Sequence, residues 1–362
     1  MKRIRPLIYF LMMTLMTLSS CSNEDLSGEG QGEGLVPLHF HVAPLTDISA
    51  QSRASAVSSA TLETVGVFAV SGKQYADIIA GNGLGKTYAY GYDNVKYTCA
   101  AGILAPATEE QVCHIPGEEF AVFAYAPYEE GMTLERLLTG KGGAVSVMSD
   151  QSGEAGVAAS DFLFGVPYDA ASGQPSANPL VLARQEDASV TLNFSHQRSR
   201  LVLELDAAWL YEKLGESSDC SFSDLKISAV GVPVSLDAGT GGACYSLSAT
   251  DGAGFDYSES NIIMGEAVMA EFSIIGLSKR DGTVALSADG TAAEKLTATA
   301  IIFPHSFSAS AETPQPLFKI EYVEDGVTKE KVLKYKESFE AGKNSSVRFS
   351  TDQRSVDAET VS

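Results

Sequence analysis

The residues with the clearest chemistry lie at the start of the chain. Lys2, Arg3 and Arg5 precede a short apolar stretch over residues 7–18, which ends at Leu18-Ser19-Ser20-Cys21. Small residues before a cysteine in that context are the pattern of a bacterial lipoprotein signal. The Cys21 thiol would take a diacylglycerol and become the mature N-terminus. The apolar stretch is too short for a comfortable bilayer span. Each buried methylene contributes about 0.8 kcal/mol, so two or three acyl chains make a lasting anchor. Ser22-Asn23-Glu24-Asp25 follows, and acidic residues just after a lipid cysteine resemble the surface-export signal of some two-membrane bacteria. The expected place is the cell surface, anchored in outer-membrane lipid through Cys21.

Other reactive residue types are present without the spacing that chemistry needs. Cys99, Cys113, Cys220 and Cys244 allow three pairings. Spacing favours Cys99 with Cys113 and Cys220 with Cys244, across hairpins centred near Pro106 and Val232; four buried thiols are the alternative. None has zinc spacing. His39 and His41 stand two apart on a strand and make half a metal site, but no Asp, Glu or Cys is placed to complete it, so they read as exposed strand histidines. Residues 80–87 (AGNGLGKT) fit a loose phosphate loop, yet Tyr88-Ala-Tyr-Gly-Tyr-Asp does not open the helix such a loop requires. Glu109-Glu110 and Glu129-Glu130 read as solvated turns. The acidic, glycine-rich residues 251–261 lack regular calcium-ligand spacing. No metal, cofactor or catalytic set is expected, and no Gly-x-Ser-x-Gly elbow occurs. The formal charge of −21 becomes −24 once Lys2, Arg3 and Arg5 leave with the signal (−21 − 3), which repels nucleic acid.

The elements behind these residues are strands. Over residues 188–205, Val190, Leu192, Phe194 and His196 alternate with polar residues, and Leu201, Leu203 and Leu205 resume the alternation after a short break. Period-two alternation marks a strand with one buried face. This stretch reads as the opening of the second half of the chain, with His196 as a hydrogen-bonded core histidine. Further strands are expected at residues 35–42, with Leu38, Phe40 and Val42 on one face, and at 64–70 and 120–128. Residues 224–236 and 243–247 read as a strand pair. More strands follow at 270–275, 282–286, 296–303, 316–323 and 327–334, with Glu324-Asp325-Gly326 as a hairpin turn. A short helix is expected near residues 75–80 and another at 207–214, anchored by Trp209. Short strands and frequent turns mean an all-β protein, one β-sandwich per half. The division is residues 1–20 signal, 21–34 tether, 35–186 first sandwich, 187–350 second sandwich and 351–362 polar tail.

Several of these pieces, in order, resemble the fimbrillin family, the subunits of lipoprotein-derived (type V) pili. Ser52-Arg53-Ala54 precedes Val65-Gly66-Val67-Phe68, similar to the family's Thr-Arg-Ala before a Gly-Val-Phe strand. Asn94-Val95-Lys96-Tyr97 resembles Asn-Val-x-Tyr, and residues 120–128 resemble Tyr-Ala-Tyr-x-Pro-Tyr. Asp161-Phe-Leu-Phe164 resembles Asp-Leu-Leu-Tyr. Val190-x-Leu-x-Phe-x-His196 matches a family strand, and residues 339–344 resemble its closing Ala-Gly-Lys-Asn segment.

The resemblance implies two tandem transthyretin-like β-sandwiches and an assembly route. An arginine-specific protease would cut Arg53–Ala54, residues 35–42 with Leu38, Phe40 and Val42 would leave, and a neighbouring subunit's strand would fill the groove. Partners would be other pilus subunits, by strand addition, and a host protein or glycan. One departure stands out: residues 348–362 are mostly polar, only Val356, Ala358 and Val361 could plug a groove, and the family's Ile-x-x-Trp-like ending is absent. A structural subunit or an accessory or tip adhesin of a fimbrium is expected, and the departure counts against a polymerising stalk. The rival is an unpolymerised surface lipoprotein that binds glycan or a host ligand through a platform of Tyr88, Tyr90, Tyr92 and Tyr97.

Overall fold

The computed structural model describes residues 34–44, 62–88, 90–140, 145–169, 171–172, 174–176, 178–183, 188–214, 222–237, 243–245, 255–257, 259–280, 283–288, 291–293, 295–306, 315–335, 338–349 and 360–361. Cys21, Arg53, Ala54 and Cys220 lie outside them. The first half holds strands β1 (Val36–Pro37), β2 (His39–Val42), β3 (Thr64–Ser71), β4 (Gly91–Ala100), β5 (Ile103–Pro106), β6 (Cys113–His114), β7 (Glu119–Ala126), β8 (Leu163–Asp169), β9 (Gln174–Pro175), β10 (Leu180–Val181) and β11 (Ser189–His196). Helices α1 (Gly72–Ile79), α2 (Leu134–Thr139) and α3 (Glu154–Ser160) are interspersed.

These strands close on themselves. The order β7-β3-β4-β5-β2-β11-β8 returns to β7 through Ala124↔Gly165, giving a barrel-like sheet of seven strands, where the strand pattern alone suggests an open sandwich. Closure removes sheet edges. All of its pairs are antiparallel except β2 with β11. Two close approaches depend on glycine. A Cβ at Gly66 would fall 2.2 Å from the Tyr125 ring, and one at Gly165 would fall 2.7 Å from the Phe194 ring.

The sequences of β3 (TVGVFAVS) and β7 (EFAVFAYA) lack polar alternation because both faces are covered. Val65, Val67, Val122 and Ala124 face the barrel interior with Phe40, Tyr97 and Leu192. Phe68, Phe123 and Tyr125 face outward, under Tyr75 and Ile78 of α1 and Leu134, Leu137 and Leu138 of α2. Helix α1, expected near residues 75–80, starts where Ser71 Oγ accepts from the Gln74 N–H at 3.2 Å. Helix α2 has the same kind of cap: Thr133 Oγ1 accepts from the Arg136 N–H at 3.1 Å.

The second half runs β12 (Ser199–Asp206), α4 (Ala207–Leu214), β13 (Phe222–Leu236), β14 (Ala243–Tyr245), β15 (Phe255–Tyr257), β16 (Ile262–Phe272), β17 (Ile274–Arg280), β18 (Thr283–Ala288), β19 (Thr291–Ala293), β20 (Lys295–Ile302), β21 (Gln315–Glu324), β22 (Val327–Tyr335), β23 (Asn344–Phe349) and β24 (Thr360–Val361). A three-stranded sheet β20-β12-β23 and a five-stranded sheet β16-β13-β21-β22-β24 share one core, in which Leu201, Leu203 and Leu205 meet Ile227, Phe318 and Ile320. Trp209 of α4 closes it, 4.9 Å from the Phe349 ring. Asp325 and Gly326, at φ 50° and 78°, make the expected two-residue turn between β21 and β22.

Two expectations change. Residues 188–205 were one unit by pattern, but β11 pairs with β2 and β8 whereas β12 pairs with β20 and β23. The sheets therefore divide between His196 and Ser199, later than residue 187. Val232 is not at a turn. It lies inside the long strand β13, which pairs with β16 and β21, while β14 pairs with β15 rather than with β13.

Candidate functional site

The site built by these elements is the seat of β2. Leu38 and Phe40 are fully buried, Val42 is half-buried, and His39 and His41 are exposed. One flank of β2 is parallel to β11, in register from Ser189↔His39 to Leu192↔Val42. The other is antiparallel to β5, with Phe40 opposite Leu104. Main-chain bonds extend the seat beyond the strand. Leu38 N–H donates to Val112 at 2.9 Å, Val42 N–H to Gly102 at 2.7 Å and Ala43 N–H to Leu192 at 2.8 Å. Just upstream, β1 pairs with β6, placing Val36 beside His114.

The floor of the seat is aromatic. The Phe40 ring meets Tyr97 edge-on, with centroids 5.4 Å apart. Tyr97 is itself pinned, its hydroxyl accepting from the Val112 N–H at 2.9 Å, and burial pushes the phenol pKa well up. Burying Leu38 and Phe40 stabilises by roughly 1.5–3 kcal/mol each. Without β2, β5 and β11 would face each other across two strand spacings, roughly 10 Å. His114 sits under β1 with both ring nitrogens buried, and desolvation lowers its pKa against a backbone hydrogen bond at Ile115 that raises it.

The other sequence candidates are dispersed. Helix α1 ends before the loop of residues 80–87 and β4 follows it, so the phosphate-loop match has no helix N-terminus to present. The hairpin after β4 turns at Ala101 and Gly102, which sets Cys99 opposite Leu104, while Cys113 is in β6 opposite Pro37. Cys99 is a thiol whose pKa burial pushes up, against the Gly102 N–H that lowers it. The Cys99–Cys113 pairing is accordingly not formed. The backbone of Cys244 lies in β14 opposite Asp256; its pairing with Cys220 falls outside the described residues. Residues 251–254 and 258 of the acidic stretch are also outside them. Among the described residues no cluster of three or more His, Cys, Asp or Glu could hold a metal, and no helix is long and apolar enough to cross a membrane.

The tyrosine platform is not assembled. Tyr97 is in the barrel core, Tyr90 donates to the Cys113 carbonyl and packs edge-on against Tyr92, and Tyr88 donates to Asp77 at 2.9 Å. Glu129, expected in a solvated turn, pairs with Arg136, and its backbone N–H and carbonyl bond the Tyr125 hydroxyl. His196 is the core histidine expected. Its Nδ1 lies 2.9 and 2.8 Å from the two oxygens of buried Asp161. Sequence reasoning missed Tyr125, whose single hydroxyl proton is shared between Asn94 Oδ1 at 2.7 Å and the Glu129 carbonyl at 2.9 Å, and Asn178, whose amide bonds both N–H and C=O of Val122 at 3.1 Å.

A family model described as fimbrillin-like matches residues 52–362. The chain belongs to the fimbrillin-like family. Membership carries the coarse role of a fimbrium-associated, cell-surface protein concerned with adhesion, and suggests a structural rather than catalytic protein. Among solved structures, the chain is similar to a provisional cell adhesion protein of Bacteroides ovatus at 17% identity and TM-score 0.46, covering 91% of this chain and 96% of that one. A provisional cell adhesion protein of Bacteroides uniformis is similar at 15% and 0.42, covering 91% and 99%. The fimbrial anchor protein Mfa2 of Porphyromonas gingivalis is similar at 8% and 0.30, covering 79% and 78%. No curated protein matches the chain.

Proposed function

We propose that this fimbrillin-like chain is a structural or adhesive subunit assembled by strand exchange into the seat of β2. The chain is exported as a lipoprotein, loses residues 1–20, and is held to outer-membrane lipid by Cys21. Cutting Arg53–Ala54 severs β1 and β2 from the fold, and a strand from a neighbouring subunit takes their place. The observation that carries this reading is the position of Phe40, fully buried in a two-sided slot of a closed sheet yet belonging to a strand upstream of Arg53, the one arginine between Val42 and Thr64 in the sequence. A replacement strand gains main-chain hydrogen bonds on both sides and a register set by alternate side chains. That the family match begins at residue 52, after β2, supports it.

The pairing of β24 with β22 favours a tip or accessory position over a stalk. Thr360 and Val361 pair with β22 of the same chain, opposite Leu333 and Val332. The experiment is digestion of purified precursor with an arginine-specific protease under native conditions. The expected result is a new N-terminus at Ala54 and oligomers on size exclusion. A chain cut at Arg53 that stays monomeric with fresh subunits overturns the assembly step; resistance of that bond overturns the processing step.

A further inference from the structure

Residues 145–160 lie between α2 and β8; Val145 packs on the barrel's outer cluster, but from Val147 to Gln151 the main-chain bonds run to the second half. Val147 N–H donates to the Val234 carbonyl at 3.0 Å, Val268 N–H to Ser149 at 2.7 Å, and Gln151 N–H to Val268 at 2.7 Å. Val147 packs with Leu236, Ile301 and Phe303. From below, Arg198 donates to the Val145 carbonyl at 2.6 Å with its guanidinium 3.7 Å over the Phe303 ring.

At the centre is Gln151, 1% exposed. Its Nε2 donates to the Ile301 carbonyl at 3.0 Å, and its Oε1 accepts from the Ile301 N–H at 2.7 Å. The ladder explains why those groups are available. Arg200 N–H donates to Lys343, toward β23, so its cross-strand neighbour Ile301 turns both backbone groups away from β12, to the outer edge of β20. An outward-facing edge is a template for another strand. The Gln151 amide meets it as a strand would.

The segment is also braced internally. Ser160 Oγ accepts from the Met148 N–H at 2.9 Å and donates to the Gly156 carbonyl at 2.7 Å. A Cβ at Gly156 would fall 2.3 Å from the Asp150 carbonyl oxygen.

We propose that residues 145–160 are a clasp by which the barrel holds the second half in place and closes the edge of β20 to a strand of a second copy, with Gln151 as its pin. The clasp does not depend on strand exchange at β2, and its test uses the full chain with the Arg53 bond uncut. Amide hydrogen exchange is compared in the native protein, Gln151→Ala and Gln151→Glu. In Gln151→Ala, exchange at Ile301 and at Val268 should both rise at least tenfold, and a dimer should appear in light scattering. In Gln151→Glu at neutral pH, the donor to Ile301 is gone. Acidification restores it, because a protonated carboxyl both donates and accepts, so protection at Ile301 should return relative to the native protein at the same pH. Unchanged exchange at Ile301 overturns the pin. A rise at Ile301 with Val268 unaffected and the chain monomeric reduces Gln151 to a local cap and overturns the clasp.

Discussion

The two halves of the molecule solve the same problem differently. Among the described residues each contains one parallel strand pair, β2 with β11 in the first and β12 with β23 in the second. In the second half β23 is at the rim of its sheet, so taking it away would leave one new edge. In the first half β2 lies between two partners in a closed sheet, so taking it away would leave two facing edges and an apolar slot between them. A single cut between β2 and β3 would detach β1 and β2 together. The comparison teaches that removing a strand from a closed sheet would open a two-sided slot, whereas a rim strand presents one edge to be covered. Gln151 covers one such edge on the second half.

The sharpest break of this comparison is at Phe40. Phe40→Ala should cost about 3–5 kcal/mol in urea or guanidinium unfolding, because the slot around Tyr97 cannot collapse inside a closed sheet. Ser346→Ala, on the exposed face of β23, should stay within about 0.5 kcal/mol. Equal effects would show that the slot is no more constrained than the rim. Next is Gly66→Ala, which drives a methyl into the Tyr125 ring and should cost about 1–3 kcal/mol, read as a lower melting temperature. Tyr125→Phe leaves Asn94 Oδ1 and the Glu129 N–H without their hydroxyl and should cost about 1–2 kcal/mol.

The smallest effect is a pH dependence under β1. Burial holds the His114 pKa below its unfolded value of about 6.5, so the unfolded chain binds the proton first. Stability is full above about pH 6.5 and falls as the pH drops from there toward the folded pKa. His114→Phe should flatten that slope in denaturation curves between about pH 7 and 5. An identical slope in the variant would place the acid sensitivity elsewhere.

How much of this was legible depended on whether the signal was local. The alternation of Val190, Leu192 and Phe194 and of Leu201, Leu203 and Leu205 gave strands and buried faces correctly, since side-chain direction is fixed by the strand itself. It did not reveal that the two strands join different sheets, because alternation names a face and not a partner. The runs in β3 and β7 hid their second buried face for a related reason: the covering helix α2 is only six residues long, too short to show a helical period. Cys99 was misplaced because an ordinary-looking Ala101 takes a left-handed conformation and turns the hairpin early. Gln151 was invisible, since the backbone groups it satisfies lie 150 residues away. The seat of Leu38 and Phe40 was readable because the alternation of residues 38–42 is local and strong.

The claim that β2 is replaceable is tested most directly on chain cut at Arg53. A fluorescent synthetic peptide of residues 35–44 is added in excess, and its incorporation is followed by anisotropy and native mass spectrometry. Strand exchange at the slot predicts that the labelled peptide displaces the cut segment one for one, and that the same peptide carrying Phe40→Glu does not. Failure of the native peptide to enter, with the cut protein still folded, would contradict it.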